Sequence, residues 1–321
     1  MTQLGIVIPC YNEEAVFKDT LAQLSELMHD LIDRKIIAQN SFLLFVNDGS
    51  SDTTWDLIEA ACANDPLCRG IKLARNVGHQ NALLAGLHHV KDQCDAAISI
   101  DADLQDDINV IEEMVRKYEE GCEIVYGVRS ERKTDTFFKR FTAQSFYKFT
   151  RFMGVKLIYN HADYRLMGKR ALQELAKYDE RNLFLRGLTS LIGFKSDCVY
   201  YARKERMAGE SKYPLKKMIS FAFDGITSFS VKPITFVLFL GLFIVVCSCF
   251  AFIYILASYF FGWTIPGWSS IMLSIWFLGG VQLLSIGLIG EYIGKIYVEV
   301  KRRPRYAIEK LVGEHDDANI S

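Results

Sequence analysis

The 321-residue sequence lacks several features that define other classes of protein. Its eight cysteines form no C-x-x-C pair and no histidines have the paired spacing of zinc ligands, which argues against a disulfide framework or a zinc site. The N-terminus has no basic segment followed by a long apolar run, so no signal peptide is predicted and the first domain is expected in the cytoplasm. A net charge of −1 gives no reason to expect a nucleic-acid partner.

Two nucleotide-binding patterns are also absent. The sequence contains no G-x-G-x-x-G, which would indicate a dinucleotide site, and no G-x-x-x-x-G-K-[ST], which would indicate a P-loop. Any nucleotide site must therefore be built in another way.

Apolar residues, in contrast, are abundant near the C-terminus. Residues 234–261 and 269–289 are uncharged, and each stretch exceeds the roughly 20 residues that a helix needs to cross a bilayer. Lysines and arginines flank the pair on both sides, whereas the short loop between the stretches has no charge. The positive-inside rule therefore predicts a two-helix transmembrane hairpin with both ends in the cytoplasm.

A basic amphipathic segment precedes the hairpin. Between residues 214 and 229, apolar side chains recur every three or four positions, and Lys216 and Lys217 lie on the opposite face. This pattern predicts a helix lying on an anionic membrane surface, although an ordinary half-buried helix has the same periodicity. The predicted organisation is a first domain at 1–213, an interfacial helix at 214–232, two spans at 233–294 and a cytoplasmic basic tail at 295–321.

The first domain alternates short apolar runs with helical patterns. Strands are predicted at 4–8, 42–46, 70–73, 96–100 and 123–126, and helices at 14–32, at 52–62 and from about residue 78. Such alternation predicts an α/β domain with a mostly parallel, Rossmann-like sheet covered on both faces. Ligands bind such sheets beyond the carboxyl ends of the strands.

The fourth predicted strand delivers carboxylates to that edge. Asp101 and Asp103 follow it directly, with Gln105 nearby. Hard oxygen ligands of this kind suit Mg²⁺ or Mn²⁺ and leave coordination positions for the oxygens of a diphosphate. Taken alone, an Asp-x-Asp pair also decorates loops and caps helices.

Polar segments follow the other strands as well. Strand one ends in Pro-Cys-Tyr-Asn-Glu and strand two in Asn-Asp-Gly-Ser-Ser-Asp, which also suits a turn and a helix cap. Asp48 is expected beside the tip of strand one, where a uracil or ribose could bind. After strand three, Gly78 and a helix N-terminus offer backbone donors to an anion.

Together these motifs resemble glycosyltransferase family 2, which has the GT-A fold. The motifs are Pro9-x-Tyr11-Asn12-Glu13, Asn47-Asp48-Gly49-Ser50-x-Asp52, Arg75-Asn76-x-Gly78 and Asp101-Ala102-Asp103-Leu104-Gln105. Asp163-Tyr-Arg165 and Arg203-x-x-Arg206-x-x-Gly209-x-Ser211-Lys212 are similar to the polyprenyl-phosphate branch of that family. This branch includes dolichyl-phosphate mannose synthase and the bactoprenol glucosyltransferases, and the two predicted spans match the latter.

The resemblance implies a role for each matched residue. Asp101, Asp103 and Gln105 would hold the metal, Mg²⁺ or Mn²⁺. Acceptor phosphate would meet Arg129 and Arg140, and Asp163 matches the position usually assigned as the base. A loop with Arg206, Ser211 and Lys212 would close over phosphates. The nucleotide would lie among residues at the first four strand ends: Pro9, Tyr11, Asn12, Glu13, Asp48, Arg75, Gly78, Asp101 and Ala102.

The implied activity is the inverting transfer of a hexose, with UDP-glucose the favoured donor, to undecaprenyl phosphate in the plasma membrane. The product would serve cell-envelope glycan modification, and relatives suggest a homotetramer. A processive polysaccharide synthase would share the core, but that class resembles sequences with Q-x-x-R-W, which is absent here. A non-catalytic membrane assembly subunit would need the hairpin but not carboxylates at successive strand ends.

Overall fold

The computed structural model describes residues 1–130, 161–181, 185–202 and 267–313, with isolated positions between 233 and 253. The chain forms two compact units. Described residues up to 202 belong to the first unit together with 303–313, and residues 267–302 belong to the second. The predicted interfacial helix at 214–232 lies outside the described residues, as does most of the first predicted span.

The five predicted strands are all present, within a few residues of the predicted bounds. Their apolar side chains are buried because helices pack against the sheet, which is why they read as continuous apolar runs. The strands are β1 (Leu4–Cys10), β2 (Phe42–Asn47), β3 (Cys68–Leu73), β4 (Ala96–Ser99) and β5 (Ile124–Arg129). The intervening helices are α1 (Phe17–Asp33), α2 (Thr54–Asn64), α3 (His79–Val90) and α4 (Ile111–Glu119).

Three further strands complete an eight-stranded sheet in the order β7-β5-β6-β4-β1-β2-β3-β8. Strand β6 (His161–Gly168) runs antiparallel between β4 and β5, and β7 (Ser196–Tyr201) runs parallel to β5. The short helices α5 (Lys169–Leu175) and α6 (Leu185–Leu191) follow β6. Pairing of β1 with β2 and β4, of β2 with β3 and of β5 with β7 is parallel, which confirms the mostly parallel sheet.

The eighth strand, β8 (Ile308–Val312), comes from the segment that was predicted to be a basic tail. It pairs antiparallel with β3, and Arg305 donates a hydrogen bond of 2.8 Å to the Tyr178 carbonyl. Beside it, the Tyr306 hydroxyl lies 3.1 Å from His88 Nδ1. Residues 303–312 therefore belong to the sheet-containing unit.

Among residues 267–302 of the second unit, the structure describes one long helix, α7 (Trp268–Lys301). Within the described part of the chain, one segment is long and apolar enough to cross a membrane: Phe277–Lys301, with mean hydropathy 1.4. Its large apolar side chains, among them Leu283, Leu284 and Ile286, are exposed rather than packed in a core. This segment overlaps the second predicted span, and the full two-helix hairpin stays a prediction.

Candidate active site

The loops after β1 and β2 are joined by side-chain hydrogen bonds. The Asn12 amide donates to Ser50 Oγ at 3.0 Å, and Asn12 Oδ1 accepts from the Ser51 amide at 2.9 Å. Asn12 has a positive φ of 53°, a conformation that asparagine tolerates better than most residues. The joined loops leave Tyr11 about half exposed at the strand tip, where its ring can stack on a base.

Asp48 at the end of β2 fixes the loop that follows β3. Its carboxylate accepts from the backbone amides of Val77 at 2.7 Å and Gly78 at 3.0 Å. Burial raises the pKa of Asp48, and these two backbone donors act against that rise. Asp48 is almost fully buried, and both of its oxygens accept hydrogen bonds from the loop after β3. It therefore orders the loop that carries the exposed Arg75.

Gly49 allows this loop to approach closely. Its φ is +62°, and a Cβ built on it would lie 2.5 Å from the Asn76 amide nitrogen. No residue with a side chain fits there without moving the loop.

The two carboxylates predicted to hold a metal follow β4 and remain partly exposed. Asp103 Oδ1 accepts from the Gln105 amide at 3.3 Å, in a turn where Leu104 adopts a φ of +43°. Burial raises the pKa of Asp101, and the nearby charges of Asp163, Asp106 and Asp103 raise it further. A carboxylate whose pKa is raised by burial and by neighbouring carboxylates is one that a bound cation would stabilise in its charged form.

The three residues predicted to hold a metal differ in how well their surroundings suit that role. Asp101 and Asp103 fit a hard divalent cation that takes its remaining ligands from water or substrate. Gln105 is buried, and its Nε2 has no hydrogen-bond partner in the described structure. Among the described residues, no group of three His, Cys, Asp or Glu side chains is arranged to hold a metal. The site therefore suits a metal that is shared with a ligand.

The neighbouring residues Ala102 and His79 add detail that the sequence did not reveal. Ala102 is buried, and its carbonyl accepts from Thr20 Oγ1 at 2.6 Å, so it fixes the Asp101–Asp103 turn on α1. His79, the first residue of α3, places Nε2 3.5 Å from Asp101 Oδ1 and 4.0 Å from Asp163 Oδ2. Sequence reasoning had not named His79 as a site residue.

Asp163 lies on β6 next to Asp101, because Ser99 of β4 pairs with Arg165 in the antiparallel register. Arg165 Nη2 donates to Asp163 Oδ1 at 2.9 Å, and Arg186 donates from Nε to Oδ1 at 3.2 Å and from Nη2 to Oδ2 at 3.0 Å. Burial alone would raise the pKa of Asp163, but Arg186 and Arg165 outweigh it and hold that pKa well below its usual range. Neither arginine was predicted to be part of the site.

Arg129 at the end of β5 is held by a second buried carboxylate. Its Nε lies 3.1 Å and its Nη2 3.0 Å from Asp106 Oδ1, which also accepts from the Tyr201 hydroxyl at 2.7 Å. Asp106 is 2% exposed and the Arg129 side chain 25% exposed, so a buried carboxylate anchors a guanidinium that solvent still reaches. Asp106 and Tyr201 were missed because their contacts join β5, β7 and the loop after β4.

Comparison with known proteins indicates the family of this chain. The model of glycosyl transferase family 2 matches residues 5–176. The uncharacterized glycosyltransferase YkoT of Bacillus subtilis is 60% identical over 95% of this chain and 91% of its own length. The SfII prophage-derived bactoprenol glucosyl transferase of Shigella flexneri is 40% identical over 96% of this chain and 98% of its own. The prophage bactoprenol glucosyl transferase homolog of Escherichia coli K12 is 39% identical over 96% and 99%.

The chain belongs to glycosyl transferase family 2. This confirms the resemblance drawn from the motifs, and the chain is a glycosyltransferase whose first unit has the mostly parallel GT-A sheet.

In this family 2 enzyme, the candidate site lies at the edge of the sheet where the parallel strands have their carboxyl ends. Pro9 lies inside β1 and is buried, near its carboxyl end. The other residues predicted to bind nucleotide or metal lie in the loops that follow β1 to β4: Tyr11, Asn12, Glu13, Asp48, Arg75, Gly78, Asp101, Ala102, Asp103 and Gln105. Arg129 and Asp163 reach the same edge from β5 and β6. Arg140, Arg206, Ser211 and Lys212 lie outside the described residues, so their roles stay predictions.

Proposed function

We propose that this glycosyltransferase moves a hexose, in the first place glucose from UDP-glucose, onto undecaprenyl phosphate. The product would be a lipid-phosphate sugar for modifying cell-envelope glycans. Support comes from the relatives named bactoprenol glucosyl transferase, which are about 40% identical over nearly the whole chain. The helical segment Phe277–Lys301 supplies the membrane attachment that a lipid substrate requires.

The observation that carries this proposal is the division of charge along the sheet edge. Asp101 and Asp103 lie at the end of β4, and the anchored guanidinium of Arg129 lies at the end of β5, two strands away. A nucleotide-sugar needs a place for its diphosphate next to carboxylates that can share a cation. A phosphate acceptor needs an arginine within reach of the same point.

The proposed reaction requires little base catalysis. The acceptor is a phosphate monoester, already anionic at neutral pH. One of its oxygens forms a bond to the anomeric carbon while the bond from that carbon to the UDP oxygen breaks, and UDP leaves with the electron pair. Attack from the side opposite UDP inverts the anomeric configuration. The residues supply position and charge: Arg129 orients the acceptor phosphate, and Tyr11 with the Asp48-ordered loop holds the nucleotide.

A divalent cation completes the donor site in this proposal. Asp101 and Asp103 would hold Mg²⁺ or Mn²⁺, with Gln105 at the same turn. When bound, the cation would neutralise charge on the departing diphosphate.

The membrane arrangement follows from the sequence. The proposed enzyme has a cytoplasmic catalytic domain over residues 1–213, an interfacial helix at 214–232 and a two-helix hairpin at 233–294, with both termini in the cytoplasm of the plasma membrane. The segment 295–321 would carry the basic flank of the hairpin and then β8. Arg140, Arg206, Ser211 and Lys212 would add contacts to phosphates, and the enzyme would assemble as a homotetramer.

The direct experiment is a panel of radiolabelled nucleotide-sugars incubated with purified protein and undecaprenyl phosphate. We expect label in the lipid extract from UDP-glucose, and less from UDP-galactose, UDP-N-acetylglucosamine or GDP-mannose. Label in a long water-soluble polymer would support a processive synthase instead. A complete lack of transfer with every donor would point to a non-catalytic role and contradict the proposal.

A further inference from the structure

Asp163 uses both of its carboxylate oxygens to hold arginines. Arg165 and Arg186 together donate three hydrogen bonds of 2.9 to 3.2 Å to it. The two arginines differ in exposure: the Arg165 side chain is 1% exposed and the Arg186 side chain 33%. Arg165 is therefore inaccessible to a ligand, whereas part of the Arg186 side chain remains accessible.

The backbone around Arg186 is fixed from a second direction. Gln80 Oε1, at the start of α3, accepts from the Leu185 amide at 3.2 Å. The start of α6 is thus tied to the helix whose first residue, His79, lies 3.5 Å from Asp101. Two independent contacts place Arg186 next to the reacting edge of the sheet.

Arg186 keeps hydrogen-bond donors that Asp163 does not use. Its Nε and Nη2 point at the carboxylate, and Nη1 contacts no partner among the residues that the structure describes. A guanidinium offers five N–H donors in a rigid fork, so a phosphate can bind on the side away from Asp163.

The arrangement repeats at Arg129, which Asp106 holds in the same way. The strands that carry Arg129 and Asp163 are neighbours, since β5 pairs with β6 and places Val128 opposite His161. Two guanidiniums held beside neighbouring strands, each anchored by a carboxylate at most 12% exposed, have the charge and the donors to bind a doubly charged anion.

The sheet order indicates which phosphate this is. The nucleotide motifs follow β1, β2 and β3, on one side of β4, whereas Arg129 and Asp163 come from β5 and β6, on the other side. Asp101 at the end of β4 separates the two sides. The donor diphosphate belongs with the first set, which leaves the arginine pair for the acceptor.

We infer that Arg186 binds the acceptor phosphate together with Arg129, and that Asp163 is the positioning residue that holds Arg186. This inference rests on the proposed function. It gives Asp163 a different role from the base that the family resemblance implies, because both of its oxygens already accept hydrogen bonds from arginines.

The test compares Arg186→Gln, Arg186→Lys and Asp163→Asn with wild type. Arg170→Gln is the matched control, since Arg170 is 70% exposed and pairs with Glu123 on the surface. For Arg186→Gln we expect kcat/KM for undecaprenyl phosphate to fall by about tenfold to a hundredfold, as for loss of a charge-assisted hydrogen bond. KM for the donor and UDP affinity should stay within about twofold, Arg186→Lys should recover part of the loss, and Arg170→Gln should match wild type.

Asp163→Asn should raise KM for the acceptor, and the double variant Asp163→Asn, Arg186→Gln should have the same acceptor KM as Arg186→Gln alone. Chemical unfolding of each variant measures separately the stability lost with the Arg165 contact. A base would instead lower kcat independently of Arg186, which would overturn the role given to Asp163. Loss of UDP affinity in Arg186→Gln or Arg186→Lys would assign Arg186 to the donor diphosphate, and wild-type kinetics would remove it from the site.

A binding measurement tests the role of Arg186 independently of the proposed function. Calorimetric titration with a short-chain prenyl phosphate needs no turnover and no particular sugar donor. Weaker binding to Arg186→Gln and Arg186→Lys than to wild type supports the inference even if UDP-glucose is not the donor. Equal binding to all the proteins would overturn it even if transfer is observed.

Discussion

The buried Asp106 forms an ion pair with the partly exposed Arg129, with the Nη2–Oδ1 distance at 3.0 Å, and Tyr201 donates a third hydrogen bond to the same carboxylate oxygen. The pair joins the loop after β4 to the end of β5. Through it, the position of a predicted acceptor-binding arginine depends on an acid that follows the Asp101–Asp103 turn.

Removing Asp106 should therefore damage both stability and activity. Breaking one partner of a buried pair costs about 3–5 kcal/mol, and since Arg129 is partly exposed we expect about 3 kcal/mol for Asp106→Ala. Glu174→Ala, which breaks the surface pair with Lys177, should cost under about 1 kcal/mol. Chemical unfolding in detergent measures both. A loss for Asp106→Ala as small as that of the control would show that the pair is not structurally important.

Gly49→Ala should disturb the loops that are proposed to bind the nucleotide of the sugar donor. The substitution places a methyl group against the Arg75–Asn76 backbone at a φ of +62°, so we expect a loss of more than about 1 kcal/mol in unfolding free energy and weaker UDP binding. Gly121→Ala is the control, because Gly121 has a φ of +90° but open space around its Cβ position. It should lose stability without losing UDP affinity. Unchanged UDP affinity in Gly49→Ala would separate this loop from the nucleotide.

The contact between His88 of α3 and Tyr306, which precedes β8, should weaken in acid. Burial, with help from Arg305 and Lys91, lowers the pKa of His88 from 6.5 to about 4, so the folded state favours the neutral ring. The neutral His88 ring therefore contributes to the free energy of unfolding in full above about pH 6.5. This contribution, roughly 3 kcal/mol, is lost as the pH falls from 6.5 to 4.

Unfolding curves between pH 8 and pH 4.5 measure this effect. His88→Gln should show a flatter dependence of stability on pH than wild type, and His89→Gln should follow wild type. If His88→Gln loses stability in acid as steeply as wild type, other groups control the acid response.

Sequence reasoning located five strands because buried parallel strands are short apolar runs, as in Leu4–Cys10 and Phe42–Asn47. It missed β6, β7 and β8, whose polar residues break that pattern. Strand β6 carries Asp163 and Arg165 inside a buried stretch, and β8, the last strand of the sheet, is exposed along most of its length. Local pattern does not reveal pairing between segments that are far apart in the chain.

The site residues also differ in whether local sequence pattern could reveal them. Asp101 and Asp103 could be predicted, since a strand end and a motif both mark them. Arg186 could not, because its position depends on an ion pair across 23 residues and on a seven-residue helix without a motif. The anchoring role of Asp48 was also hidden, because its partners are the backbone amides of another loop.

The proposed interfacial helix is tested by a pair of double variants. Met218→Glu with Ile219→Glu places charge on the apolar face of the segment at 214–229, so transfer to undecaprenyl phosphate should collapse while UDP binding persists. Ser220→Glu with Thr227→Glu changes the polar face and should have a much smaller effect. Loss of UDP binding together with transfer in the first variant would indicate unfolding, and retention of both would show that the helix does not position the site.

In the proposed reaction, a divalent cation at the Asp101–Asp103 turn assists the transfer of a sugar to a lipid phosphate. The most direct measurement is radiolabel from UDP-glucose recovered in the lipid extract, for wild type, Asp103→Ala and Asp19→Ala, the last changing an exposed acid on α1. Wild type and Asp19→Ala should make the labelled lipid, lose it in EDTA and regain it with Mg²⁺ or Mn²⁺, and Asp103→Ala should be folded but inactive. Near-normal transfer by Asp103→Ala, or by wild type in EDTA, would contradict the account.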